Sequence, residues 1–492
     1  MRSTSKTAIF SALLLATAAA AQEPPPVEVD IVGGGVKSAI TIAVPAMPGG
    51  PVGRDISQVI ASDLRSTGLF NPIGPGGISS YPQEQAAAPV FAEWRSAGAS
   101  ALVTGYVDTR PDGRMTVACY LHDVTAGRAL GNQGFSVTAN DWRRAAHKCA
   151  DLVYSRLSGQ GAFLDTRVVY VAESGPRTNR LKRIAIMDSD GSNHRYLTAG
   201  KATVTMPRFS PRGDRLVYTG TLARKPRVFV LDIASGRERL LVPGGAITFA
   251  PRFSPDGRRV VFSWANAGNT DIYVVNADGG VPQRLTSAPG ADTSPSYSPD
   301  GRSIVFESDR SGTQQLYVMG ANGSGQRRIS FGGGRYASPV WSPRGDLIAF
   351  TRIASSFNIG VMSSSGGGAR ILTNGWQDEG PSWAPNGQFV MFNRLARGEG
   401  DSAAGHQEAL AAAGDVEDED ARLAGERAGI DQAVAAGAEA RHGHGCLAGG
   451  QIAVVGAVGI HDGDALQAVG PGAAFGDIDD AGIEEGALSR QA

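Results

Sequence analysis

The chain has 492 residues, 42% of them apolar and 19% charged, too many for one core and globular in composition, with 66 glycines well above the usual share of roughly 7%. Its net charge of −1 conceals two unlike parts: residues 398–492 carry 18 acids against four arginines, so the first 397 hold an excess of 13 positive charges. That basic part has no dense Lys/Arg run and therefore gives no support for nucleic-acid binding.

The first 22 residues, MRSTSKTAIFSALLLATAAAAQ, place Arg2 and Lys6 before an apolar run too short to cross a bilayer. A small-residue cleavage site, Ala19-x-Ala21, follows. This predicts a secretory signal peptide at 1–21 and an exported, soluble protein with no direct membrane span. In QEPPPVEVDIVGGG the prolines forbid a helix, while Val27, Val29 and Ile31 alternate with polar residues as in an edge strand. Residues 22–34 thus read as an extended arm able to pair with another strand.

A small α/β domain is expected over 35–160. AITIAVPAM reads as a strand. DISQVIASDLRSTGLF sets Ile56, Val59, Ile60 and Leu64 at helical spacing. A second helix follows in VFAEWRSAGA, strands in ALVTGYV and MTVACYLHDV, and a third helix over 141–157. Cys119 on the second of these strands and Cys149 on the last helix are both inward-facing. They are placed either to form a bridge or to sit as two small buried side chains. Cys446 makes the count odd.

From 161 to 397 the pattern is all β. FSPRGD, FSPDGR, YSPDGR, WSPRGD and WAPNGQ recur with prolines 211, 255, 299, 343 and 385 spaced 44, 44, 44 and 42 apart. In each, proline presets one turn position and glycine tolerates positive φ. Two further β-rich runs and a short fourth follow each of the first four turns, for example RVVFSW, IYVVNA and QRLTS. Four strands in about 44 residues is the period of a β-propeller blade. An irregular unit at 167–197 lacks an inner strand, so six blades are expected, closed by a strand from the other end of the chain. Past residue 397 the wording changes. Residues 398–492 contain no Trp, Tyr, Met, Lys, Asn or Thr, and Phe475 is the sole aromatic. The stretch reads as a shifted reading frame of a GC-rich gene or as an acidic disordered appendage. Either way the last blade and the ring closure are expected to be incomplete.

Signal, α/β domain and propeller, with wording such as ASDLRSTGLFNPI, GASALVTGYV, HDVTAGRAL and DWRRAAHKCADLVYSRLSGQGAFLDTRVVYVAE, resemble the TolB family of the Tol–Pal envelope system. The resemblance runs from about Val27 to Gln388. It implies a periplasmic adaptor of Gram-negative cells that serves outer-membrane integrity and cell division. The implied partners are the Pal lipoprotein on the propeller face, TolA on the N-terminal arm (Val27, Val29, Ile31), and other outer-membrane or periplasmic proteins. No catalysis and no cofactor or metal is implied. Loops gathered at one end of a propeller are natural binding elements. The expected protein contacts are Ile247, Thr248, Ala250, Asp292, Thr293, Tyr336, Ser338 and Asp378.

The rival class is a propeller-containing hydrolase. A peptidase of that kind needs a G-x-S-x-G elbow, which this sequence lacks. A glycosidase-like site would need paired carboxylates, for which Asp292, Asp378 and Glu379 are the loose candidates. His442, His444 and Cys446 lie too close together for an ordinary structural zinc site and read as coincidence. His122, His147 and His194 read as scattered surface or packed residues.

Overall fold

The computed structural model describes residues 29–33, 39–74, 81–175, 180–266, 268–395, 409–413 and 455–459. The signal segment 1–21, Val27, the close-set His442, His444 and Cys446 and most of 398–492 lie outside the described residues.

In the N-terminal domain five strands are ordered Phe70–Ile73, Ile40–Ala43, Ala101–Thr109, Met115–Asp123 and Arg128–Val137. The first three run parallel and the remaining pairs antiparallel. Helices α1 (Gly50–Ser66) and α3 (Trp142–Ser158) cover one face, where Ile56, Ile60 and Leu64 meet Cys149, Val153 and Tyr154 in one core. The short helix α2 (Phe91–Ser96) lies across the other face through Trp94. Cys119 and Cys149 are joined in a disulfide, with Cα atoms 6.0 Å apart and both side chains fully buried. Left-handed Gly159, at φ 73°, ends α3 and turns the chain toward the propeller.

Each repeat begins with an inner strand, Val204–Phe209, Ile247–Phe253, Asp292–Tyr297, Arg335–Trp341 or Gln377–Trp383. The SPxG-type turn then leads to a second strand, Arg215–Leu222, Arg259–Asn266, Ser303–Ser308, Leu347–Ile353 or Phe389–Leu395. Third strands of six to eight residues and very short fourth strands complete the middle repeats. Val, Ile, Phe and Tyr of the second and third strands pack sideways between neighbouring repeats. One such core joins Val261, Ile272 and Val274 to Ile304, Phe306 and Tyr317.

The propeller differs from expectation in two respects. It forms five hydrogen-bonded sheets, not six: four of four strands and one of eight. The eight-stranded sheet arises because the last two repeats are bridged where Phe357 pairs with Gln377, with Phe357 N donating to Trp376 O at 3.1 Å. The closure expected to be missing is also filled. Val455–Gly459 pairs antiparallel with Thr166–Ser174 as the inner strand of the irregular unit. Ala409–Ala413 pairs with Phe389–Leu395, and the arm strand Val29–Gly33 adds to it in parallel. Ladder bonds are made by main-chain groups, so these places can be filled without the aromatic and β-branched residues whose absence argued against closure. Val168, Tyr170 and Ala185 of the first unit pack with Met391 of the last, so the ring closes through side chains as well.

Candidate functional site

The inner strands of the five regular repeats run from one mouth of the central channel to the other, and the two mouths differ in chemistry. At the entrance mouth each inner strand carries a bulge, with register shifts at 205/208, 249/252, 293/296, 337/340 and 379/382. The bulge residue adopts a left-handed conformation directly before a proline: Met206 (φ 54°), Ala250 (52°), Ser294 (53°), Ser338 (51°) and Gly380 (69°). Four of these five are not glycine, and an L-residue there carries strain of about 1–2 kcal/mol.

A side chain from the preceding repeat holds each of the last four in place. Ala250 N donates to Thr219 Oγ1 at 3.2 Å, and Ser294 N to Ser263 Oγ at 3.2 Å. Ser338 N donates to Glu307 Oε2 at 2.8 Å, and Gly380 N to Thr351 Oγ1 at 3.2 Å. The four acceptors stand 44 residues apart on successive second strands. Sequence reasoning missed them, although the signal was legible: VYTG, VFSW, VFES and AFTR each place one polar residue at the same point of an apolar strand.

The expected contact residues converge on this mouth but differ in what they can reach. Thr248 is buried and its Oγ1 accepts Val228 N at 3.0 Å. Asp292 is fully buried, with Oδ2 2.6 Å from Arg310. Asp378, also fully buried, accepts from Arg394 Nε at 2.7 Å and Nη2 at 3.0 Å, and from Gly375 N at 3.2 Å. Tyr336 is buried against Phe350, and Ala250 is buried. Ile247, Thr293 and Ser338 keep partial exposure. The hydroxyls of Thr293 and Ser294 are drawn onto Glu307. Asp292 and Asp378 are each held by an arginine, an arrangement suited to fixing loops rather than to acid–base work.

The open surface of the entrance mouth is carried by neighbours of those residues. Leu181, Met206, Leu222, Phe331 and Trp376 are exposed there, Phe331 to 72%. Ile247 and Trp264 line a recess of about 310 Å³ between two repeats.

The SPxG mouth lies at the other end, on the side of the N-terminal domain. There Asn386 Nδ2 donates to Gly161 O at 3.2 Å, and Gln388 Nε2 to Gln160 Oε1 at 2.8 Å. Phe389 stacks on Phe163 with ring centres 4.4 Å apart. His147 of α3 joins the domains through charge, with Nδ1 2.6 Å from Asp63 and Nε2 3.7 Å from Asp190 on the first unit. Burial opposes its imidazolium, but Asp63, Asp190 and Asp188 outweigh that and push the pKa up to about 9. Arg143 shares Asp190 at 2.8 Å. Among the described residues no helix is long and apolar enough to cross a membrane.

Against known proteins, residues 154–412 match the TolB beta propeller domain and residues 27–130 the TolB amino-terminal domain. The chain belongs to the TolB family. The propeller match runs past the break in composition at residue 398, as far as the strand Ala409–Ala413. Among curated relatives, the Tol-Pal system protein TolB of Sphingopyxis alaskensis is 55% identical over 191 residues, 38% of this chain and 42% of that one. That of Zymomonas mobilis is 50% identical over 211 residues, 41% of this chain and 46% of that one. The chain thus spans less than half the length of these relatives. The crystal structure of TolB from Acinetobacter baumannii superposes with a TM-score of 0.67 at 26% identity, covering 75% of this chain and 90% of that one.

Proposed function

We propose that this chain is a periplasmic adaptor of the Tol–Pal envelope system. Its entrance mouth binds the Pal lipoprotein, its N-terminal arm engages TolA, and it makes and breaks no covalent bond in doing so. The observation that carries this reading is the set of exposed apolar side chains, Met206, Leu222, Phe331 and Trp376, spread over a mouth whose loops are pinned from below. A rigid frame presenting aromatic groups loses little entropy on docking, and buried aromatics dominate protein interfaces. The family name of its relatives, Tol-Pal system protein TolB, supplies the partner class.

In this reading the arm acts by strand addition, the same mode in which Val29–Gly33 pairs with Ala409–Ala413. TolA would compete for the arm, and the adaptor would couple an inner-membrane protein to outer-membrane constriction during division.

The test is binding to purified Pal on a sensor surface. A Phe331→Ser/Trp376→Ser variant is expected to weaken it at least about tenfold, or ~1.4 kcal/mol. Val281→Ser, altering a residue 94% exposed at the opposite end, should leave it unchanged. Pal that fails to bind, or that responds only to Val281→Ser, would remove the basis for the reading.

A further inference from the structure

The SPxG mouth of the channel encloses a cavity of about 410 Å³ whose charge is one-sided. At one equivalent position the five regular repeats place Arg208, Arg252, Ser296, Val340 and Ser382 on its wall, and no carboxylate lines it. The turn acids Asp256 and Asp300 are exposed and occupied with Ser254 and Ser298 of their own turns. Arg208 donates to the adjacent Pro207 O at 3.0 Å, and among the described residues neither guanidinium has an acid partner. Ser296 Oγ accepts Trp341 N at 3.3 Å, which leaves its hydroxyl proton free to donate into the cavity. Burial brings Arg208 down to about 10, and burial together with Arg208 lowers Arg252 well below its usual value.

Arg208 and Arg252 are each half-buried. Two adjacent guanidiniums partly withdrawn from bulk water without a counter-charge are unfavourable in the free protein and favourable around an oxyanion, which arginine grips through paired N–H groups. The remaining wall is mainly ring and proline surface, including Phe253, Tyr297, Trp341 and Trp383, with Ser210 and Ser254 between them. That surroundings suit an anion carrying a carbon body better than a fully hydrated inorganic one. The volume is within the range of small-molecule sites, about 300–1,000 Å³.

We propose that this cavity is a binding site for a small organic carboxylate, its carboxyl group held by Arg208 and Arg252 and its carbon body against the aromatic wall. The site is separate from the entrance mouth and does not depend on Pal.

Calorimetric titration of the full chain with phenylacetate, succinate and inorganic phosphate tests it, with chloride held constant. Phenylacetate is expected to bind at least about tenfold more tightly than phosphate, and Arg252→Gln and Arg208→Gln to weaken it at least about tenfold each. In the absence of ligand, Arg252→Gln should melt no lower than the parent chain, because it removes a repulsion; this also shows that the variant folds. Phosphate binding as tightly as phenylacetate overturns the carboxylate assignment. Absence of carboxylate binding to the parent chain, or binding that survives in the double Arg→Gln variant, overturns the site.

Discussion

Reduction of the Cys119–Cys149 disulfide should lower the stability of the N-terminal domain without dismantling the propeller. The bridge joins the fourth strand of the sheet to α3 and spans 30 positions of sequence. Closing a loop of that length removes unfolded-state entropy equivalent to about 3.6 kcal/mol at 25 °C. For a domain of this size, at roughly 4 °C per kcal/mol, the domain's melting temperature should fall by about 14 °C. Both sulfurs sit in a fully buried core, so reductant should gain access only as that core opens, and the rate of reduction should follow unfolding of the domain. Differential scanning calorimetry of the oxidised chain, and of chain reduced in urea and refolded with reductant, reads the shift. Mass analysis counts the bonded thiols. If the two forms melt within about 2 °C of each other, the loop constraint argued here is wrong.

Arg394→Ala should destabilise the chain by roughly 3–5 kcal/mol in urea unfolding, because it strands the buried Asp378 carboxylate; a loss under about 1 kcal/mol would contradict the pairing. The His147 ion pairs should stabilise the junction between the domains fully below pH 6.5 and fade as pH rises through about 9, since the folded pKa lies above the ordinary one. NMR titration of His147, with His147→Gln abolishing that alkaline loss in thermal melts, checks the sign. Deleting residues 398–492 removes the strands paired to Thr166–Ser174 and Phe389–Leu395, and should broaden melting and promote aggregation through the uncovered edges. Light scattering and melts identical to those of the full chain would show that those strands contribute nothing.

The repeat was legible because its signals are local. A proline inside each inner strand, just after its bulge, and a proline–glycine turn at its end fix backbone geometry within a few residues, and the 44-residue phase then fixes which strands are equivalent. What decides exposure is not local. Asp292 and Asp378 read as loop acids, yet each is buried by an arginine 18 or 16 residues further on, across the hairpin. The tail strands at 409–413 and 455–459 were illegible for the opposite reason. Ala- and Gly-rich segments carry little strand propensity of their own, and only the open edges beside them supply a partner. His147 was likewise passed over, because nothing in the spacing of α1 and α3 shows that Asp63 and Asp190 converge on it.

The pinned bulges give the entrance mouth a sense of rotation. Thr219, Ser263, Glu307 and Thr351 each reach forward to support the next loop, and at the first joint Thr248 ties its loop back by accepting Val228 N of the preceding repeat. Damage to one of these side chains therefore loosens the following loop, and at Glu307, which also holds the Thr293 and Ser294 hydroxyls, it loosens the loop of its own repeat as well. A docked partner pressing on Ser338 loads Glu307 of the repeat before it. Mechanical load on such a ring passes from each repeat to its neighbour, like links of a chain.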